Sequence, residues 1–187
     1  MKLSICLFFV SIITLSTQVP APSFQFKDCG KSNAIVRFEE VSIKPDPVYF
    51  DGLGESTIIY NIRQDLPLDA FLRVDLWNGN RIAEEALKDE DRTPCLLGPV
   101  CEIAVCDWMQ LEYYSCMSYH NSTSYCTCPV KAGIRSDISE KFIFPSKYLL
   151  PLWFNEGTYT SRFTIMDGSR SELGCLLLSG TVVHKQS

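Results

Sequence analysis

Apolar and polar positions alternate along most of this chain. Ala70, Leu72, Val74 and Leu76 interleave with Phe71, Arg73, Asp75 and Trp77, a period of two that gives a strand one apolar face. Tyr159, Phe163 and Ile165 interleave with Thr158, Thr160, Arg162 and Thr164 in the same way. The stretch from Gly54 to Gln64 contains the β-rich run Ser56-Thr57-Ile58-Ile59-Tyr60-Asn61-Ile62. Cys175 to Val183 is apolar on both faces, as a strand held between two layers would be. Pro45, Pro47, Asp51-Gly52, Asn78-Gly79 and Asp167-Gly168 punctuate these segments as turns. Short strands at this spacing predict an all-β fold, a sandwich-like cup of two antiparallel sheets. One short helix interrupts the pattern. From Cys101, apolar residues recur at Ala104, Val105, Trp108 and Leu111, a stripe at helical spacing that follows the break at Gly98-Pro99.

The first residues follow a different plan. Lys2 supplies a positive charge, Leu3 to Leu15 is largely apolar, and small or polar residues follow. That is the layout of a secretory signal peptide, and its core of about 13 residues is shorter than the ~20 that a membrane-spanning helix needs. Residues 1–19 are therefore expected to be a signal, cut between Ser16 and Ala21. Residues 20–187 form a single domain, since two halves of a 187-residue chain would each have a poor core.

Removing the signal changes two counts. Cys6 leaves, so the nine cysteines become an even eight, and loss of Lys2 takes the net charge from −5 to −6. An acidic chain lacks the basic surface that a general nucleic-acid binder needs. Eight cysteines in a secreted chain read as four disulfides, and Cys29, Cys95, Cys101, Cys106, Cys116, Cys126, Cys128 and Cys175 contain no paired zinc box. Six of them crowd the middle, while Cys29 and Cys175 stand near the ends as an outer clasp. Each staple contributes roughly 2–4 kcal/mol. Four are more than a filled core of this size requires, and a hollow interior would need them.

Catalytic chemistry finds little support. The chain has no nucleophile elbow, zincin motif or phosphate-cradling glycine loop. His120 adjoins the glycosylation sequon Asn121-Ser122-Thr123, a surface feature, and His184 lies close to the C-terminus. Neither is a convincing general base. No catalytic residue, metal site or cofactor is expected, and Asn121 is a candidate glycosylation site.

A series of short segments resembles a known family. They run from Asp28-Cys29 through Ala34-Ile35-Val36-Arg37 and Val41-Ser42-Ile43-Lys44-Pro45-Asp46-Pro47 to Thr93-Pro94-Cys95 and Cys126-Thr127-Cys128-Pro129. Ser139-Glu140-Lys141-Phe142-Ile143-Phe144-Pro145, Leu150-Pro151-Leu152-Trp153, Gly157-Thr158-Tyr159 and Leu173-Gly174-Cys175 complete the series. In this order, from about Phe24 to Val183, they are similar to the ganglioside activators, cofactors of lysosomal β-hexosaminidase A within the ML lipid-recognition group. The resemblance implies an ML-type β-cup that holds acyl chains, and the pairings Cys29–Cys175, Cys95–Cys101, Cys106–Cys128 and Cys116–Cys126. It also implies a protein that breaks no bond, but lifts a glycosphingolipid from a membrane and presents it to a glycosidase. Where that family carries an exposed apolar tip with tryptophan, Ala83 to Arg92 holds five acids, two basic residues and no aromatic. The family's contacts at that stretch therefore do not carry over.

These readings combine into one expectation. Val74, Leu76, Tyr159 and Phe163 are candidate cavity walls, with Val105 and Trp108 lining it from the helix. Phe144, Leu149, Leu150, Trp153 and Phe154 form an apolar rim suited to a membrane interface. The cargo is a lipid with acyl chains, whether ganglioside, other glycolipid or phospholipid. The partners are a transient membrane surface and a lysosomal glycosidase, in the lysosomal lumen or outside the cell. A sterol carrier and an extracellular lipid-recognition protein that docks a receptor are the alternatives.

Overall fold

A computed structural model describes residues 24–83, 87–95, 101–107 and 128–184. The alternating segments form strands of two sheets. The larger contains β1 (Gln25–Asp28), β3 (Val48–Tyr49), β5 (Phe71–Asn78), β6 (Glu102–Ala104), β8 (Gly157–Met166) and β9 (Glu172–Val183). Its order is β1-β9-β8-β5-β6, with β3 added in parallel to β9. The smaller sheet runs β2-β4-β7, from β2 (Val36–Lys44), β4 (Leu53–Ile62) and β7 (Gly133–Ile143). All other pairings are antiparallel, so the two-sheet β fold stands as the sequence predicts.

Period two decides what each strand contributes. On β5, Leu72, Val74 and Leu76 face the smaller sheet, while Arg73, Asp75 and Trp77 face the other way. Asp75 and Trp77 are nonetheless buried, at 1% and 0% exposure, because residues 88–93 are strapped across them. The Trp77 indole donates to the Lys88 carbonyl at 2.8 Å, and Thr93 N–H donates to the Leu76 carbonyl at 2.8 Å. The buried Asp75 carboxylate accepts from Arg73 Nε at 2.9 Å and from Arg92 at 2.6 Å, with Arg162 at 3.9 Å. A carboxylate out of water needs such partners, since burial of an unpaired charge is costly.

Among the described residues, the strands of the two sheets pack most closely along one side. At the β1–β2–β9 seam, a Cβ added to Gly174 would lie 2.7 Å from the Val36 Cβ, so only glycine permits this approach. Asp28 ties the seam together, accepting from the backbone of Gly30 and Phe38 and pairing with Arg37 at 3.1 Å. The Cys29–Cys175 disulfide crosses between β1 and β9 beside it. On the opposite side, among the described residues, β7 is the last strand of its sheet and β6 the last of the other. Among the described residues, no packing of the kind that joins β2 to β1 and β9 joins β7 to β5 or β6. The sandwich is closed at one long side and spread at the other.

Three of the disulfides implied by the resemblance are formed: Cys29–Cys175, Cys95–Cys101 and Cys106–Cys128. Cys116 and Cys126 lie outside the described residues, as do residues 1–19, expected to be a signal, and Trp108, His120 and Asn121. The helix expectation needs a correction at its start. Residues 102–104 form β6, which pairs Ile103 with Leu72 and Ala104 with Phe71, and helical backbone begins only at 105. A sheet edge with free hydrogen-bonding groups recruits a short apolar segment more effectively than one turn of helix can form alone.

Candidate functional site

The spread between the sheets leaves a cavity of about 510 Å³. The smaller sheet supplies Val36 and Phe38 from β2 and Ile58, Tyr60 and Ile62 from β4. The larger sheet supplies Leu72 and Val74 from β5, Phe163 and Ile165 from β8, and Leu176 and Leu178 from β9. Leu66, Val130 and Val105 close one end. The polar side chains of the wall are the Tyr60 hydroxyl, Asp137 on β7 and Ser161 on β8. A chamber of this size and chemistry falls within the usual range for small-molecule sites.

The far end is filled rather than hollow. Phe50, Leu76, Phe154, Tyr159 and Val182 form a buried cluster, and Phe144, Leu150 and Trp153 pack against it. Phe154 stacks on Tyr159 with ring centroids 4.4 Å apart, and Phe50 meets the edges of Phe144 and Phe154. The Tyr159 hydroxyl donates to the Asn155 carbonyl and accepts from Asn155 N–H, both at 2.9 Å. These bonds fold residues 150–155 down onto the sandwich.

The eleven candidate lining residues therefore separate. Val74, Val105 and Phe163 line the cavity. Leu76, Phe144, Leu150, Trp153, Phe154 and Tyr159 come together in the aromatic cluster beside it. Leu149 is on the surface, at the end of the 3₁₀ turn Lys147–Leu149. Trp108 lies outside the described residues. At the tip, Tyr148, Leu149 and Leu152 are exposed at 96%, 80% and 98%. Leu53 and Ile143, paired across β4 and β7 at the same end, are also exposed.

The sheet of β2, β4 and β7 supplies half the wall, and sequence reasoning did not assign it. The signal was present in Ile58, Tyr60 and Ile62, spaced two apart, but no polar partner face marked which side was inward.

Burial pushes the Tyr60 hydroxyl up to about 12, and the nearby Asp137 charge adds to that rise. Its pKa in the unfolded chain is near 10.0, so the neutral phenol is favoured by folding. That stabilisation is complete below about pH 10 and is lost as pH climbs through the folded value. At the other extreme, the Lys131 hydrogen bond lowers Asp65, and the Ser169 hydroxyl lowers Asp167. Their contributions are present above the ordinary carboxylate value and are lost only as pH falls through the lowered ones. The melting temperature should accordingly stay level from about pH 5 to 9 with respect to these groups and decline above about pH 10. Tyr60→Phe should flatten the alkaline limb, and a scan in which wild type and variant fall together would contradict this.

No group of histidine, cysteine, aspartate and glutamate suited to a metal ion occurs among the described residues. His184 is exposed and packs its ring on Phe50 with centroids 4.9 Å apart. Among the described residues, no helix is long and apolar enough to cross a membrane.

The architecture defines a class: a disulfide-stapled antiparallel β-sandwich with an apolar internal chamber. No family model matches the chain, and no curated protein matches it. Among solved structures, it is similar to a Niemann-Pick type C2 protein from Japanese carpenter ant. The identity is 11%, over 85% of this chain and 99% of that one, with a TM-score of 0.46. A likeness at that level assigns no family to the chain.

Proposed function

We propose that this chain is a non-enzymatic lipid-binding and lipid-transfer protein of the ML type, acting in the lysosomal lumen or outside the cell. The observation that carries the reading is the apolar chamber of about 510 Å³ between the two sheets. Each methylene moved out of water gains about 0.8 kcal/mol, so an 18-carbon chain entering water alone costs on the order of 14 kcal/mol. A chamber walled by leucine, isoleucine, valine and phenylalanine replaces one hydrocarbon environment with another. That removes most of the cost of leaving a bilayer.

The exposed end bearing Leu53, Ile143, Tyr148, Leu149 and Leu152 supports the membrane step. Apolar and aromatic side chains there can enter the lipid interface while Lys147 stays at headgroup level. The finer reading follows the resemblance of the sequence segments: extraction of a glycosphingolipid or phospholipid and its presentation to a hydrolase or an acceptor membrane.

The test is mass spectrometry of the secreted protein, native and after organic extraction, with transfer measured between vesicles. An acyl-chain lipid in one-to-one ratio and transfer that slows at least fivefold in Leu149→Asp/Leu152→Asp are the expected results. A sterol adduct would replace the acyl cargo with the sterol-carrier alternative. A protein that carries nothing and takes up no fluorescent lipid would sink the reading.

A further inference from the structure

The chamber is bounded lengthwise by two packed clusters. At one end Val36, Ile62, Leu66, Ala70 and Val130 form a buried group. Leu66 N–H donates to the Val130 carbonyl and Val105 N–H to the Ala70 carbonyl, both at 2.9 Å, which braces that end. At the other end stands the aromatic cluster of Leu76, Phe154 and Tyr159, where stacked rings and the Asn155 hydrogen bonds leave packed side chains in the path of a chain end.

Strand register counts what lies between. On the larger sheet the inward rows are Leu72 with Ile165, then Val74 with Phe163, then Ser161 with Leu178. In the third row Leu76, opposite Ser161, already belongs to the cluster, and the next inward position on β8 is Tyr159. The smaller sheet repeats the count with Ile62, Tyr60 and Ile58 on β4. Each sheet thus contributes three rows to the wall.

Two measures of capacity agree. Inward positions on one strand are about 6.7 Å apart, so three rows span about 13 Å between centres, and about 20 Å with half a row added at each end. One membrane acyl chain fills a bilayer leaflet, which is half of the ~30 Å hydrocarbon core, or about 15 Å. Volume gives the second measure. At ~30 Å³ for each water-sized group, about 510 Å³ accommodates on the order of 17 such groups. Both describe one alkyl chain of about 16 to 18 carbons lying along the strands. A second chain of that length has no room. Left in water, it would weaken binding about fourfold for each of its methylenes.

We infer that the chamber is a one-chain site with a length limit, taking a single alkyl chain of up to about 18 carbons between Leu66 and Val130 at one end and Leu76 and Tyr159 at the other. Its cargo is accordingly a single-chain lipid, a lysolipid or a fatty acid, whose head stays at the spread side. The inference rests on the carrier reading above and narrows its cargo by chain number and chain length.

The experiment offers the protein vesicles holding equal amounts of lauroyl, palmitoyl, stearoyl, arachidoyl and behenoyl lysophosphatidylcholine with dioleoylphosphatidylcholine. Mass spectrometry after organic extraction then quantifies what is bound. Palmitoyl and stearoyl chains should load within about twofold of each other, because exchange from one hydrocarbon environment to another is near neutral. Behenoyl and dioleoyl lipids should load at least tenfold less than stearoyl. Leu76→Ala removes three carbons from the stop and should raise the arachidoyl lipid to the stearoyl level. Ser161→Phe puts a ring into the third row and should lower palmitoyl at least tenfold against lauroyl. Leu149→Asp/Leu152→Asp, outside the chamber, should leave every ratio unchanged. Melting curves establish that each variant is folded, and either chamber variant alone suffices if the other is not. Loading of behenoyl or dioleoyl lipid equal to stearoyl in the wild type would overturn the inference and leave the carrier reading intact. Failure of all six lipids to load would overturn the carrier reading too.

Discussion

Val74→Trp should reduce lipid uptake at least tenfold while changing the melting temperature by only a few degrees. Val74 sits in the middle of β5 with Phe163 opposite it on β8, and both project into the cavity. An indole there occupies the space that the alkyl chain would take. Enlarging a side chain in a filled core typically costs 1–3 kcal/mol, because neighbours are forced off their rotamers. Here the added atoms enter open volume, so the cost should be under about 1 kcal/mol. In a domain of this size that is roughly 2–4 °C. The measurement pairs titration with a fluorescent lipid against calorimetry. Retained uptake with unchanged stability would mean that lipid binds elsewhere, and a collapse of stability would mean that the chamber is narrower than its walls indicate.

The Cys29–Cys175 clasp should be the disulfide whose loss costs most. Its ends are 146 residues apart, against 22 for Cys106–Cys128 and 6 for Cys95–Cys101. Closing a loop of that length in the unfolded chain corresponds to about 5 kcal/mol, compared with about 3 and about 2 for the shorter loops. The double variant Cys29→Ala/Cys175→Ala should melt some 10–20 °C lower. Because the clasp stands beside the close seam of β1, β2 and β9, bound lipid should also escape faster from this variant. Calorimetry on the three double variants gives the ranking directly. If loss of Cys95–Cys101 proved the most damaging, native packing rather than loop closure would govern the contribution of each bridge.

The two results would separate functions that the fold combines. The seam of Asp28, Arg37, Gly174 and the clasp holds the sheets together, and the spread side provides the volume. A variant that weakens the seam should affect stability and lipid release together. One that fills the chamber should affect binding alone.

Period-two alternation was sufficient to place β5 and β8, with Val74 and Phe163 on an inward face, while a β-rich run marked β4 and a run apolar on both faces marked β9. Parity within a strand fixes the side of each residue once one face is apolar. The same logic failed at β6, whose three residues are too few to show a period, so the stripe from Cys101 resembled a helix. It also failed at residues 147–154. That segment is a 3₁₀ turn and a loop, and no period relates sequence to side there. Leu149 and Leu152 point to solvent, whereas Leu150, Trp153 and Phe154 pack inward around Tyr159. Composition gives these residues the same character; the hydrogen bonds of Asn155 to Tyr159 decide which way they turn.

By itself, then, the amino-acid order determined four of the longer strands, the two-sheet class and the outer clasp, because each depends on local composition and alternation or on the placement of cysteines. Only the tertiary structure decided where the hollow lies. A cavity is a failure of two distant surfaces to meet, and that depends on the angle at which β2 leans on β1 and β9, on the glycine that permits it, and on how far β7 stands from β5. The polar positions of the wall are equally non-local. Asp137 and Ser161 are ordinary polar residues in sequence, and they become parts of one site only because two sheets bring them to the same apolar space.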